Sequence, residues 1–442
     1  MTALSVSLKS DNPLDQAPLR FRQVLVLAIA LLLSTLDGYD SLSMAFVAPA
    51  LELEWGIGKG IIGLLLSSSL IGMAIGALAL SPLADKLGRR AVVLGALVVM
   101  TAGTALSAVA GSVSMLAAAR VLTGVGIGTM IAMTTLLSAE FTNVRRRPLA
   151  VAAVATLGFP LGGVLGGLGA SVILKSATWH WVFLVGSMAG AVLFLLVLLT
   201  LPESPAFLIA RRSHDALELA NRALSRLGHP AIAELPAASE RQDTRYRALF
   251  EPGLRKIVIR LTVTSILIAT TSYYILNWMP VMVVDAGFTP AQGSLVSAQS
   301  GMIGFIGGVF FAAFASRFPP TRVAAIAMTG GALALGAVGL VPPVLHLFVL
   351  SAGVLGFCLA GTTGMLYTIL ASTFPAGLRA SGMGFVMGVM RIASAAGPAL
   401  AGLMFAQGMT RAGVSLIFAV GPLIAAVLIS TLPNLPGNSK PR

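Results

Sequence analysis

The chain has 442 residues, 57% of them hydrophobic and only 10% charged, against about 25% charged in an ordinary soluble domain, so a water-soluble enzyme is excluded. Its 29 basic and 16 acidic residues leave a net charge of +13; in a soluble protein that excess would point to nucleic acid, but in so apolar a chain the placement of the charges matters more. The apolar runs are about 18 to 25 residues long, enough to cross a hydrocarbon core of about 30 Å as helices, and they lack the alternation of a transmembrane barrel.

The first span is expected at about 23 to 48, after a polar stretch to Arg22. It carries Asp37 and Asp40 and has no small-residue cleavage site, so it is not a cleaved signal peptide. Five more follow at about 57 to 81, 91 to 110, 113 to 137, 148 to 174 and 182 to 201. The long polar segment from Pro202 to Arg255 has helical patterning from His214 to Leu227 and reads as a linker. Six further spans are expected at about 256 to 282, 291 to 315, 322 to 341, 345 to 371, 381 to 407 and 411 to 433. The expected organisation is therefore all-α: a tail at 1–22, a six-helix bundle at 23–201, the linker at 202–255, a second bundle at 256–433 and a tail at 434–442.

If the N-terminus is cytoplasmic, 23 of the lysines and arginines lie on the side of the tails and linker and three lie on the other. Basic residues favour the cytoplasmic side, so both termini and the linker are expected there, in a bacterial-type inner membrane. Gly158-Phe-Pro-Leu-Gly-Gly163 in the fifth span has a counterpart in Gly397-Pro-Ala-Leu-Ala-Gly402 of the eleventh. Paired six-span halves with a site between them at mid-membrane are a common plan of secondary transporters.

Of the 16 acidic residues, only Asp37 and Asp40 lie well inside a span. An ionised group at that depth costs several kcal/mol unless paired or hydrated, which marks the pair as functional. Three residues apart, they share one helical face. At 1.5 Å per residue Asp40 and Arg120 come to equal depth, so a salt bridge between them is expected, while Arg391 reaches mid-membrane in the other half without an acidic partner there. Burial favours the protonated form of a carboxylate and a nearby guanidinium favours the charged form, so Asp37, Asp40 and Arg120 are the proton-coupling candidates. Arg391 can offer a substrate carboxylate two parallel N–H donors. Tyr39, Tyr273, Tyr274, Asn277 and Trp278 can offer aromatic faces and hydrogen bonds to a planar ligand. No histidine lies deep in a span, and no metal cluster or nucleophile–base set is recognisable.

Ser81-Pro-Leu-Ala-Asp-Lys-Leu-Gly-Arg-Arg90, after the second span, resembles the signature loop of the major facilitator superfamily, with Ser81 in place of the usual leading glycine. The resemblance implies an inner gate built on Asp85, Arg89 and Arg90, with Glu140 and Arg146 as neighbouring charges. Leu36-Asp-Gly-Tyr-Asp40, Phe46-Val-Ala-Pro-Ala-Leu51, Asn277-Trp-Met-Pro280 and Arg391-Ile-Ala-Ser-Ala-Ala-Gly-Pro398 are similar to the aromatic acid:proton symporter family, carriers of benzoate-type and hydroxybenzoate-type anions. In the second half, Ser316 stands where that family usually places an aspartate.

The expected function is proton-coupled import of a small aromatic carboxylate by a monomer in the lipid bilayer. Its partners are the carboxylate and protons, with no nucleic acid, cofactor or enzymatic activity. The fifth-span motif also resembles one of drug:proton antiporters, which leaves export of drugs or organic anions as an alternative, beside symport of a sugar or non-aromatic acid.

Overall fold

The computed structural model describes residues 12–236, 246–374 and 378–432. Among them twelve helices are long and apolar enough to cross a membrane: Phe21–Trp55, Lys59–Leu87, Arg89–Ala108, Val113–Glu140, Arg147–Ser176, His180–Thr200, Pro252–Asp285, Pro290–Ala315, Pro320–Leu340, Leu345–Thr373, Ser381–Ala406 and Arg411–Ser430. Parts of both tails, with Lys9, Lys440 and Arg442, and linker residues 237–245 lie outside the described residues. The largest departure from the expected limits is the first span, which runs on to Trp55. Glu52 and Glu54 are held in its last turn by Lys59 Nζ, 2.8 Å away, and Trp179 Nε1, 2.9 Å away. Paired in this way, the carboxylates do not break the helix.

The two glycine motifs occupy equivalent places. A Cβ on Gly162 would sit 1.9 Å from the carbonyl oxygen of Thr35, and one on Gly397 would sit 2.2 Å from that of Thr270. The fifth span therefore lies backbone-to-backbone on the first, and the eleventh on the seventh, an approach that only residues without side chains permit. The internal sequence repeat is thus a repeated helix crossing.

Hydrophobic packing divides the molecule into three cores. The half of the membrane region away from the linker has one core shared by both bundles, joining Phe46, Leu65 and Phe183 to Trp278, Met282 and Phe348. On the linker side it splits into an N-terminal core around Leu33, Met133 and Phe141 and a C-terminal core around Leu261, Phe311 and Leu370. The bundles are welded at one end and parted at the other. Tyr273 and Ala395 of the C-terminal bundle pack against the N-terminal core, which marks the depth where the interface closes.

The linker folds under the N-terminal bundle through the helix Ala216–Leu227, with Asn221 bonded both ways to Ile232. His229 Nε2 lies 2.9 Å from Gln23 Oε1, which also accepts the Arg20 N–H; an amide oxygen only accepts, so Nε2 carries the proton. Burial, and then the charge of Arg20, hold this imidazole below its ordinary range.

Candidate functional site

Asp37 and Asp40 are both 1% exposed, on the stretch of the first span that meets both the N-terminal bundle and the interface. Neither carboxylate oxygen of Asp37 has a hydrogen-bond partner, and Asp40 Oδ1 has none either. Sharing a helical side does not give them one environment. Asp40 lies inside the N-terminal bundle, where a Cβ on Gly186 would come within 3.1 Å of its Oδ1. Asp37 looks across the interface, and among the groups that act on it electrostatically is the guanidinium of Arg391.

Arg120 is fully buried and reaches Asp40 as its depth requires, but it donates from Nη2 to the main-chain carbonyl of Asp40. No Asp40–Arg120 ion pair within 4.0 Å occurs among the described residues. Nε and Nη1 of Arg120 have no hydrogen-bond partner, and the guanidinium stands over the Phe183 ring, 5.4 Å from its centroid, within cation–π reach. Equal height set the pairing of residues, while side-chain reach decided which oxygen is met.

Arg391 is half-buried at the interface. Its Nη1 lies 3.3 Å from the hydroxyl of Tyr273, and its electrostatic neighbours are Tyr273, Tyr367 and Asp37. Tyr367 of the tenth span was not among the sequence candidates; the only signal was that it is one of five tyrosines in an otherwise apolar chain. The structure brings Asp37, Tyr273, Tyr367 and Arg391 together from four spans and both bundles.

The remaining aromatic candidates lie elsewhere. Tyr39 donates to the carbonyl of Val182 at 2.6 Å, with its ring against Gly166 and Gly186. Tyr274 Oη is 2.9 Å from Ser415 Oγ and its ring stacks on Phe418 at 4.2 Å. Trp278 donates to the carbonyl of Pro398 at 3.1 Å and packs on Phe405 at 4.7 Å. These three are engaged within their bundles rather than at Arg391, because helical neighbours point about 100° apart. Asn277 is buried one turn from Tyr273, to whose carbonyl its Nδ2 donates at 2.8 Å.

At the linker end, Arg89 pairs with Glu140 at 2.9 Å and with Asp85 at 3.2 Å. Glu203, of the Pro202-Glu-Ser-Pro205 turn, accepts the backbone N–H groups of Arg89 and Arg90, so its charge sits on the positive end of the third span. Arg90 donates to the carbonyl of Leu198. The exposed Arg146 stands apart from this cluster; Arg147 is the engaged neighbour, paired with Asp15 and donating to the Ala139 carbonyl. All these contacts stay within the N-terminal half. At the opposite end Lys59 bridges Glu52 at 2.8 Å and Asp285 at 2.6 Å, tying the second span to the seventh across the interface. There the second and eleventh spans also touch backbone to backbone, with Gly63 against Gly402.

The model of the Major Facilitator Superfamily matches residues 27–398 and 261–442. A gallate transporter of Pseudomonas putida is 30% identical over 426 residues, 95% of this chain and 94% of its own length. A 4-hydroxybenzoate transporter of the same organism is 31% identical over 402 residues, 88% of each chain. In fold, the chain is similar to the xylose transporter of E. coli in a partially occluded inward open conformation, with a TM-score of 0.74 at 17% identity over 93% of this chain and 98% of that one.

Proposed function

Because the chain belongs to the Major Facilitator Superfamily, a family of transporters rather than enzymes, we propose that it imports small aromatic carboxylates of the benzoate or hydroxybenzoate type together with protons, by alternating access. The observation that carries this reading is Arg391: a half-buried guanidinium at the bundle interface, hydrogen-bonded to a phenol, with no ion pair among the described residues and with Asp37 as the carboxylate in its field. A substrate carboxylate and the charged form of Asp37 compete for one cation. Protonation of Asp37 from outside frees Arg391 for the anion, the bundles rock about the site, and loss of the proton inside returns Arg391 to Asp37 and expels the substrate. The relatives named for gallate and 4-hydroxybenzoate support an aromatic acid as cargo. On this reading the parted end is cytoplasmic, which the distribution of lysine and arginine supports, and the carrier works as a monomer in an inner membrane.

The Lys59 bridge then holds the outer end shut. Ion pairs this exposed contribute about 1 kcal/mol or less, so Lys59→Ala or Asp285→Ala is expected to raise the outward-open population by up to about fivefold. Lys59→Arg, which keeps a cation between Glu52 and Asp285, is expected to retain the wild-type balance. Spin-label distances across the outer ends report it, and identical distributions in all four proteins would show that the bridge latches nothing.

The proposed cargo is tested by uptake into proteoliposomes with an inward proton gradient, using labelled benzoate, 4-hydroxybenzoate, a sugar and a cationic drug. The acids alone are expected to accumulate faster than in protein-free vesicles, into which the neutral acid crosses unaided. Uptake of the sugar, or export of the drug without transport of either acid, would overturn the reading in favour of another cargo.

A further inference from the structure

We infer that Asn277 reads a hydroxyl group on the substrate ring, opposite the carboxylate, and so selects para-hydroxylated aromatic acids; this rests on the reading of Arg391 as the carboxylate anchor. Asn277 is 1% exposed, and its Nδ2 donates to the carbonyl of Tyr273 at 2.8 Å. A carbonyl can only accept, so this bond settles which way the amide faces. The other end, Oδ1, is buried and has no donor among the described residues. A buried acceptor left unpaired is unfavourable, and a ligand bringing an N–H or O–H would satisfy it.

The position of that acceptor gives the ligand its shape. Tyr273 and Asn277 are four residues apart, on one face of the seventh span, with Asn277 about 6 Å further from the linker end at 1.5 Å per residue. The Tyr273 hydroxyl accepts from Arg391 Nη1 at 3.3 Å, which leaves the phenolic proton free to donate to an anion held by the guanidinium. Tyr274 and Trp278, about 100° round the helix, are bonded to Ser415 and Pro398 within their own bundle, whereas Tyr273 packs on the N-terminal core, so the face it shares with Asn277 is the one turned to the interface. A carboxylate at Arg391 and Tyr273 places a flat ring along this face, with its para substituent towards Asn277. Asn277 Oδ1 then meets a donor at that position and stays unpaired against hydrogen or fluorine.

Binding of benzoate, 4-fluorobenzoate, 4-hydroxybenzoate and 4-aminobenzoate to the purified full-length protein, measured by titration calorimetry, tests this directly. Wild type is expected to bind the hydroxy and amino acids about tenfold more tightly than the fluoro and unsubstituted ones, the size of effect that one buried hydrogen bond confers. In Asn277→Ala the four should come within about twofold of one another. Equal wild-type affinity for the hydroxy and fluoro acids would overturn the assignment, and this comparison needs no variant. A preference surviving in Asn277→Ala would overturn it too. If wild type binds none of the four acids, the carboxylate reading fails and takes the assignment with it.

Discussion

Replacing Arg391 by alanine is expected to weaken binding of an aromatic carboxylate by about 2 to 5 kcal/mol, and binding of the corresponding amide by far less. A carboxylate drawn from water into the bundle interface gives up its hydration, and only a fixed cation compensates for that loss. Arg391 is that cation because Arg120, the arginine deep in the fourth span, is committed to the carbonyl of Asp40 and stands over the Phe183 ring within the N-terminal bundle. Arg391→Lys keeps the charge but loses the planar fork, so it should fall between wild type and alanine for the acid and leave the amide near wild type. Dissociation constants for one acid and its amide on the three proteins decide the matter. Equal losses for acid and amide would mean that Arg391 holds the helix packing and not the ligand.

Asp37→Asn is expected to abolish concentrative uptake while keeping exchange of external for internal substrate. Asparagine imitates the protonated carboxyl and cannot release a proton, so the carrier shuttles loaded but cannot reset empty. Because the variant also removes the anion that competes for Arg391, substrate affinity should stay equal or rise. Asp40→Asn should likewise lose accumulation, by removing the carboxyl that titrates in the field of Arg120 inside the bundle rather than through the anchor. Exchange and net uptake measured on the same vesicles separate the two steps. Wild-type accumulation by both variants would remove the pair from proton coupling.

The charged groups were legible in the sequence because ionised residues inside a span are rare and costly, and a rise of 1.5 Å per residue places each at a depth. Depth alone brought Arg120 level with Asp40. What it lacks is rotation: Tyr273 and Tyr274 read alike in sequence, yet one faces Arg391 and the other stacks on Phe418. Asn277 and Trp278 divide in the same way. Rotation is set by the glycine crossings at Gly162 and Gly397, where backbone contact allows one orientation. Contacts between distant segments were also out of reach. Tyr367 meets Arg391 only after the tenth and eleventh spans pack, and Lys59 meets Asp285 only after the two halves associate. The Glu203 cap on the third span was not legible, because its partners are backbone N–H groups, which leave no mark on a sequence.

Proton influx coupled to substrate is the most direct test of the account. Proteoliposomes holding a pH-sensitive dye, with equal pH on both sides and the membrane potential clamped, are given 4-hydroxybenzoate, and internal acidification is compared with that in protein-free vesicles and in Arg391→Ala. The comparison matters because the neutral acid also crosses lipid and carries a proton. The account predicts faster acidification only with wild-type protein, saturating with substrate and absent in Asp37→Asn under net flux. Labelled substrate entering through the wild-type protein with acidification no faster than in protein-free vesicles would contradict it.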